Sequence, residues 1–267
     1  MRYAHILVAV DLRHDVRHLL QRAGKFAQRM GARLHIITVL PRDEPGLSQG
    51  DTSHLANLQR ETLDYLQQQV AALPSQHGEC RVCCGVVADE ILRAVVELKA
   101  DVLILGARQR PGLLSWLQQQ AAEPLLARLG CDLLLLDEDR PFWREPLHIT
   151  LFVDLDAAGQ KVLRRATALA RQQGAQLLVR HVLASNDESL RAVAERQLAS
   201  WLVGLPLPLP RWELVSGAIC EWLTRSLASH ESHLLIIGGT HLAPHPQAEE
   251  APLARLLHEP GDVMVLR

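Results

Sequence analysis

Hydrophobic residues in this chain follow two periods. Short apolar runs, such as Ile6–Val10, Val102–Leu105 and Leu133–Leu136, carry no polar alternation and stop at Asp or Gly. Runs of that kind predict strands buried on both faces of a parallel sheet. Between strands, Val16, Leu19, Leu20, Ala23, Ala27 and Met30 recur at i, i+3, i+4 and i+7 spacing, which predicts an amphipathic helix ending at Gly31. Leu34–Leu40 is the next predicted strand. Leu55, Leu58, Leu66, Val70 and Leu73 predict a second helix, halted before Pro74. The pattern continues with a short strand Glu79–Gly85, a helix Asp89–Lys99, the strand Val102–Leu105, a helix Gln118–Leu129 and the strand Leu133–Leu136.

The same grammar then returns. HILVAVD at His5–Asp11 matches HITLFVD at His148–Asp154, 143 positions on, and Gly31 matches Gly174 at the same offset. Further along, Pro74 matches Pro206, Gly85 matches Gly217 and Gly106 matches Gly238, all 132 apart. The smaller offset places a longer loop between Leu40 and Pro74 in the first repeat. The second repeat predicts strands at Ile149–Val153, Leu177–Val182, Trp212–Val215, Leu234–Ile237 and Val263–Leu266. Its helices are predicted at Ala158–Gln173, Glu188–Val203, Ala218–Ser229 and around Ala251–His258. A repeat this long means duplicated domains, not a solenoid. Asp137–Leu147, charged and carrying two prolines, is the natural boundary, giving domains 1–140 and 141–267. The fold class is α/β: two tandem domains, each a five-stranded parallel sheet with right-handed crossovers and flanking helices.

Composition narrows the function. At 267 residues and 48% hydrophobic, the chain can build two cores. A net charge of −2 gives no pull toward nucleic acid or an anionic membrane, so neither is expected as a partner. Asp11 interrupts the apolar start too early for a signal peptide, and no run reaches the ~18 apolar residues of a membrane span. A cytoplasmic location is expected. The five cysteines (80, 83, 84, 131 and 220) are odd in number and are expected as reduced structural thiols. Cys80 and Cys83 lie three apart on a strand, on opposite faces, unlike a redox pair at a helix start. His14 and His18 have i, i+4 spacing near a helix start, but no further ligands complete a metal site; His241 and His245 are separated by prolines. The run GLPLPLP, Gly204–Pro210, reads as an extended lead into a strand. No G-x-S-x-G elbow and no GxxxxGK[ST] loop is present, so no enzymatic constellation emerges.

ILVAVD at the first strand, the A-x-x-x-A-x-x-x-GA-x-L segment leading to TVL or HVL, DVLILG, and PLLARLGCDLLLL resemble the universal stress protein family, specifically its tandem two-domain members. The resemblance covers essentially the whole chain. It implies an adenine-nucleotide-binding-like topology in each domain, with Leu133–Leu136 paired against Val263–Leu266 as a pseudo-dimer; a homodimer of that tandem unit is a further expectation. It also implies a phosphate loop of form G-x-x-G-x(9)-G-[S/T], in which backbone N–H groups and a helix N-terminus face the phosphates. Here Gly106 holds the first position, but Gln109 and Gln119-Gln120 replace the others; in the second half Gly238 is followed by His241 and Ala251-Pro252. Three of four signature positions are lost in each half. ATP binding in the family manner is therefore not expected, and no cofactor is assigned.

The resemblance places a carboxylate near the ribose at Asp11 and Asp154, though each could equally cap the turn after its strand. Asp156 adds either a second carboxylate or a solvated turn. Val39 and Val182 would line an adenine-like slot, or else are core. Arg108 could hold a phosphate or carboxylate, or stand in solvent. Gly106, Gly238, Gly239 and Thr240 lie where strand ends meet a crevice, and any ligand is expected there, better in the second half. The expected function is a non-enzymatic binding or interaction module in stress response, with an unknown small ligand or protein partner. The rival is a nucleotide-binding protein or slow ATPase using a different phosphate loop.

Overall fold

The structure is a computed structural model that describes residues 3–40, 52–106, 128–143, 145, 147–228, 232–238 and 261–267. The chain divides into two compact units, Arg2–Phe142 and Trp143–Arg267.

The first unit contains β1 (His5–Val10), α1 (Arg17–Met30), β2 (Arg33–Leu40), α2 (Thr52–Ala71), β3 (Gln76–Cys84), α3 (Val87–Glu97), β4 (Val102–Gly106) and β5 (Asp132–Leu136). Its strands lie in the order β3-β2-β1-β4-β5, every neighbour parallel. The second unit contains β6 (His148–Phe152), α4 (Ala157–Gln172), β7 (Gln176–Leu183), α5 (Glu188–Val203), β8 (Arg211–Ser216), α6 (Ile219–Ala228), β9 (Leu234–Gly238) and β10 (Val263–Leu266). Its order, β8-β7-β6-β9-β10, is the same arrangement, again all parallel. In each unit the chain winds outward from the first strand, then crosses to its other side. The resulting switch points, β1/β4 and β6/β9, leave a crevice at the strands' C-terminal ends.

Burial explains why the apolar runs became strands. Ile6, Leu7, Val8, Leu103 and Ile104 are fully buried, as are Phe152, Val179 and Ile236. Each such side chain contributes about 1.5–3 kcal/mol of transfer free energy. Helix α1 lays Leu19, Leu20, Ala23, Phe26, Ala27 and Met30 on the sheet and stops where expected. Gly31 takes the left-handed conformation (φ 64°), letting Ala32 N–H reach the Ala27 carbonyl at 2.9 Å. Gly174 (φ 62°) ends α4 the same way, with Ala175 N–H on the Ala170 carbonyl at 2.8 Å.

Both units also bury a carboxylate at the entry to their last strand. Asp132 accepts a hydrogen bond from the Tyr3 hydroxyl at 2.8 Å, and Asp262 accepts one from the Trp143 indole N–H. Aromatic donors of this kind suit a buried acceptor, because the ring fills space while its polar edge satisfies the oxygen.

Several expectations shift. β3 begins at Gln76, three residues before its predicted start, because it follows β2 along nearly its whole length across a register irregularity at Leu34/Ile36. It is a partly exposed strand, so its polar start hid it from an apolar pattern. Four of the five cysteines are only half-buried; Cys131 alone is buried, and all five are free. Burial pushes the Cys80 and Cys83 thiols up, which keeps them protonated and unreactive. His14 precedes α1 in a turn, its N–H on the Asp11 carbonyl at 3.1 Å, so it does not share a helical face with His18. Among the described residues no group of three or more His, Cys, Asp or Glu could hold a metal ion. No described helix is long and apolar enough to cross a membrane. Of the helix predicted at Gln118–Leu129 only Arg128 and Leu129 are among the described residues, and the helix predicted around Ala251–His258 lies outside them.

Candidate functional site

The crevice at the strands' C-terminal ends is built differently in the two units. In the first, Asp11 follows β1 directly and turns back on its own loop. Its Oδ1 accepts from Arg13 N–H (3.1 Å) and Nε–H (2.9 Å), and its Oδ2 pairs with Arg13 Nη2 at 2.7 Å. Partial burial pushes this carboxyl up, but the Arg13 hydrogen bonds and charge outweigh it and hold the group below its usual value. Asp11 therefore caps its turn.

Gly106 closes β4, and the space its missing side chain leaves is occupied. A Cβ built there would overlap Glu138 Oε1 and approach Leu19 Cδ2 to 3.2 Å. Glu138, two residues beyond β5, is only 8% exposed. Beside it Asp137 is buried too, its carbonyl accepting from the buried Arg22 guanidinium and its carboxylate 3.4 Å from Arg140 Nε. Where Gly106 was expected to let a ligand approach the backbone, the Glu138 side chain of the same unit stands beside it. Val39, opposite Cys83 at the end of β2, is half-buried and not core.

In the second unit, Asp156 is the N-cap of α4, its Oδ1 accepting from Gly159 N–H at 2.6 Å. It is exposed to solvent and serves as the cap of that helix. Gly159 lies so close to the end of β6 that a Cβ would strike the Asp154 carbonyl. Asp154 itself is half-buried just past β6. Val182, opposite Val215, is half-buried like Val39, and Gly238 ends β9 buried, opposite Leu266. His181, which sequence reasoning passed over, joins them: its Nδ1 lies 2.9 Å from the Val153 carbonyl. A carbonyl only accepts, so Nδ1 carries a proton and donates to it. The available signal was its repeat partner, since the first unit has the buried Thr38 there.

Asp154, Val182, His181 and Gly238 thus end three adjacent strands of the second unit. Arg108, Gly239 and Thr240, with the loop positions Gln109, Gln119, Gln120, His241, Ala251 and Pro252, lie outside the described residues.

Comparison with known proteins agrees with this architecture. No curated protein gives a significant match. Among solved structures, a universal stress protein from Archaeoglobus fulgidus DSM 4304 superimposes with a TM-score of 0.71 at 14% identity, covering 100% of this chain and 97% of that one. A putative universal stress protein from Pseudomonas aeruginosa UCBPP-PA14 gives 0.65 at 17% identity, covering 99% and 93%. A functionally unknown protein from Pseudomonas aeruginosa PAO1 gives 0.64 at 16%, covering 99% and 92%. These likenesses are of fold. The sequence adds its own: residues 2–137 match the universal stress protein family model, and the second unit repeats the strand order of the first. With half its length matched and the same topology built twice, the chain belongs to the universal stress protein family.

Proposed function

We propose that this protein is a non-enzymatic, cytoplasmic binding or interaction module of the stress response, whose phosphate loops no longer take a nucleoside triphosphate. The observation that carries this reading is Glu138, buried against Gly106 at the switch point of the first unit. A phosphate brought to that glycine would meet a carboxylate in a poorly solvated place, where like charges repel strongly. The glutamines at the other signature positions support the same reading. In the second unit the strand ends carry Val182, His181 and Asp154, which suits an uncharged or apolar group with one hydrogen-bonding edge better than a triphosphate.

Titration calorimetry of Mg-ATP into the full chain tests this. No binding in the micromolar range is expected, with or without Glu138→Ala. Micromolar or tighter binding to the unaltered chain would overturn the reading.

A further inference from the structure

The opposite end of the second unit carries an independent site. A cleft of about 470 Å³ opens between the end of α4, the first residues of β6 and β7, and the segment entering β8. That volume falls in the ~300–1,000 Å³ range of small-molecule pockets. At the equivalent place the first unit has a smaller hollow of about 350 Å³, bordered by Ala4, His5, Gly31, Arg33 and Gln76.

The repeat shows how the larger cleft arose. Leu7, Gly24, His35 and Gly78 of the first unit become Thr150, Thr167, Leu178 and Pro210 in the second. In the first unit the His35 ring stands over Gly78, its nearest atom 2.5 Å from where a Cβ would lie, and bonds to Glu79 N–H and His5. Leu73 also closes on Gly24, 3.4 Å from its missing Cβ. In the second unit both fillings are gone, and two threonines line the cleft.

These threonines point to a ligand. Thr150 is 4% exposed, and its hydroxyl has no hydrogen-bond partner among the described residues. The hydroxyl therefore keeps both its donor and its acceptor capacity for a polar group brought into the cleft. Thr167 donates to the Leu163 carbonyl at 2.8 Å and keeps its acceptor lone pairs. Arg171, in the last turn of α4, and Arg211, opening β8, also line the cleft, and neither has a carboxylate partner among the described residues. The nearby Glu213 is taken by Arg180 at 2.9 Å. Leu177 and Leu209 supply apolar wall.

We propose that this cleft binds a small organic acid. Its carboxylate lies on Arg171 and Arg211, its apolar body against Leu177 and Leu209, and a polar group at its far end meets Thr150. The site goes beyond the reading of the C-terminal crevice and does not depend on it, so Mg-ATP calorimetry leaves it untouched.

Saturation-transfer NMR and titration of the full chain test it, with 4-hydroxyphenylacetate, phenylacetate and octanoate as probes and 4-hydroxyphenylacetamide as the neutral control. The carboxylates should bind and the amide should not. Arg171→Gln with Arg211→Gln, both exposed positions, should weaken binding about 10- to 100-fold, the range expected for losing charge-assisted hydrogen bonds. The near-isosteric Thr150→Val should weaken 4-hydroxyphenylacetate more than phenylacetate, a split that a merely structural effect would not produce. No binding by any of the three acids, or equal binding by the double arginine variant with its circular dichroism unchanged, would overturn the proposal.

Discussion

The two units meet the same backbone demand with different chemistry. Where β1 begins, the Asp101 carboxylate accepts from Ala4 N–H at 2.6 Å and from His5 N–H at 2.9 Å. Where β6 begins, the repeat partner of Asp101 is His233, whose Nδ1 accepts from His148 N–H at 3.0 Å. One unit uses a carboxylate and the other an imidazole, yet both strands start in the same register. What the duplication shares is therefore the set of donors and acceptors that a strand end leaves over, and the side chain is free to vary if it meets them. Paired changes follow the same logic: a far-reaching ring at His35 goes with Gly78, and the shorter Leu178 goes with Pro210. Change one partner alone and the packing should fail.

That pairing gives the largest expected effect. Gly78→Ala places a methyl group against the buried His35 ring, and overpacking of this kind costs about 2 kcal/mol. His35→Leu, which imports the second unit's residue, should recover part of the loss in the double variant. A coupling of about 1 kcal/mol is expected from a denaturant-based double-mutant cycle. Additive losses would show that the ring and the glycine are independent, and that the repeats differ here by drift.

Helix entry offers a smaller contrast. Asp156 caps α4, whereas its repeat partner Arg13 lies in the longer turn before α1, whose N-cap Val16 makes no side-chain cap bond. Asp156→Ala should therefore cost about 1 kcal/mol, while Arg13→Ala should cost less, since the Arg13 side chain is itself mostly in solvent and the Arg13 N–H bond to Asp11 remains. Equal losses by urea unfolding would contradict the assignment of Asp156 as a cap.

Sequence patterning exposed the strand–helix alternation, the duplication and the left-handed stops at Gly31 and Gly174, because each rests on contacts within a few residues or on a repeated period. It recovered less of the site. Gly106 read as open because the residue that fills its space, Glu138, lies far along the chain and in a segment that looked like a linker. Thr150 and Thr167 looked like ordinary members of a strand and a helix. Only their shared cleft, made by β6, α4 and the entry to β8, brings them together. Asp11 left two roles open, and the structure shows the cap, made with its neighbour Arg13.

The smallest effect expected is a pH dependence confined to the first unit. His35 is buried, and its Nδ1 accepts from Glu79 N–H at 3.0 Å, so the ring must be neutral there. Burial and then the charge of His5 press its pKa below the ordinary 6.5; Glu79 opposes them, and the lesser charges of Arg33 and Arg81 add to the depression. Above pH 6.5 the ring is neutral in folded and unfolded chains alike, and its contribution is fully present. As pH falls below that value the unfolded chain binds the proton first, so stability drops until the folded ring also titrates. Leu178, at the same position of the second unit, cannot respond in this way. Urea unfolding between pH 7.5 and 5 should therefore show a slope that His35→Gln flattens, since glutamine can still accept from Glu79 N–H but does not titrate. If His35→Gln keeps the full slope, the proton uptake belongs to another group, and the two strand entries differ in shape alone.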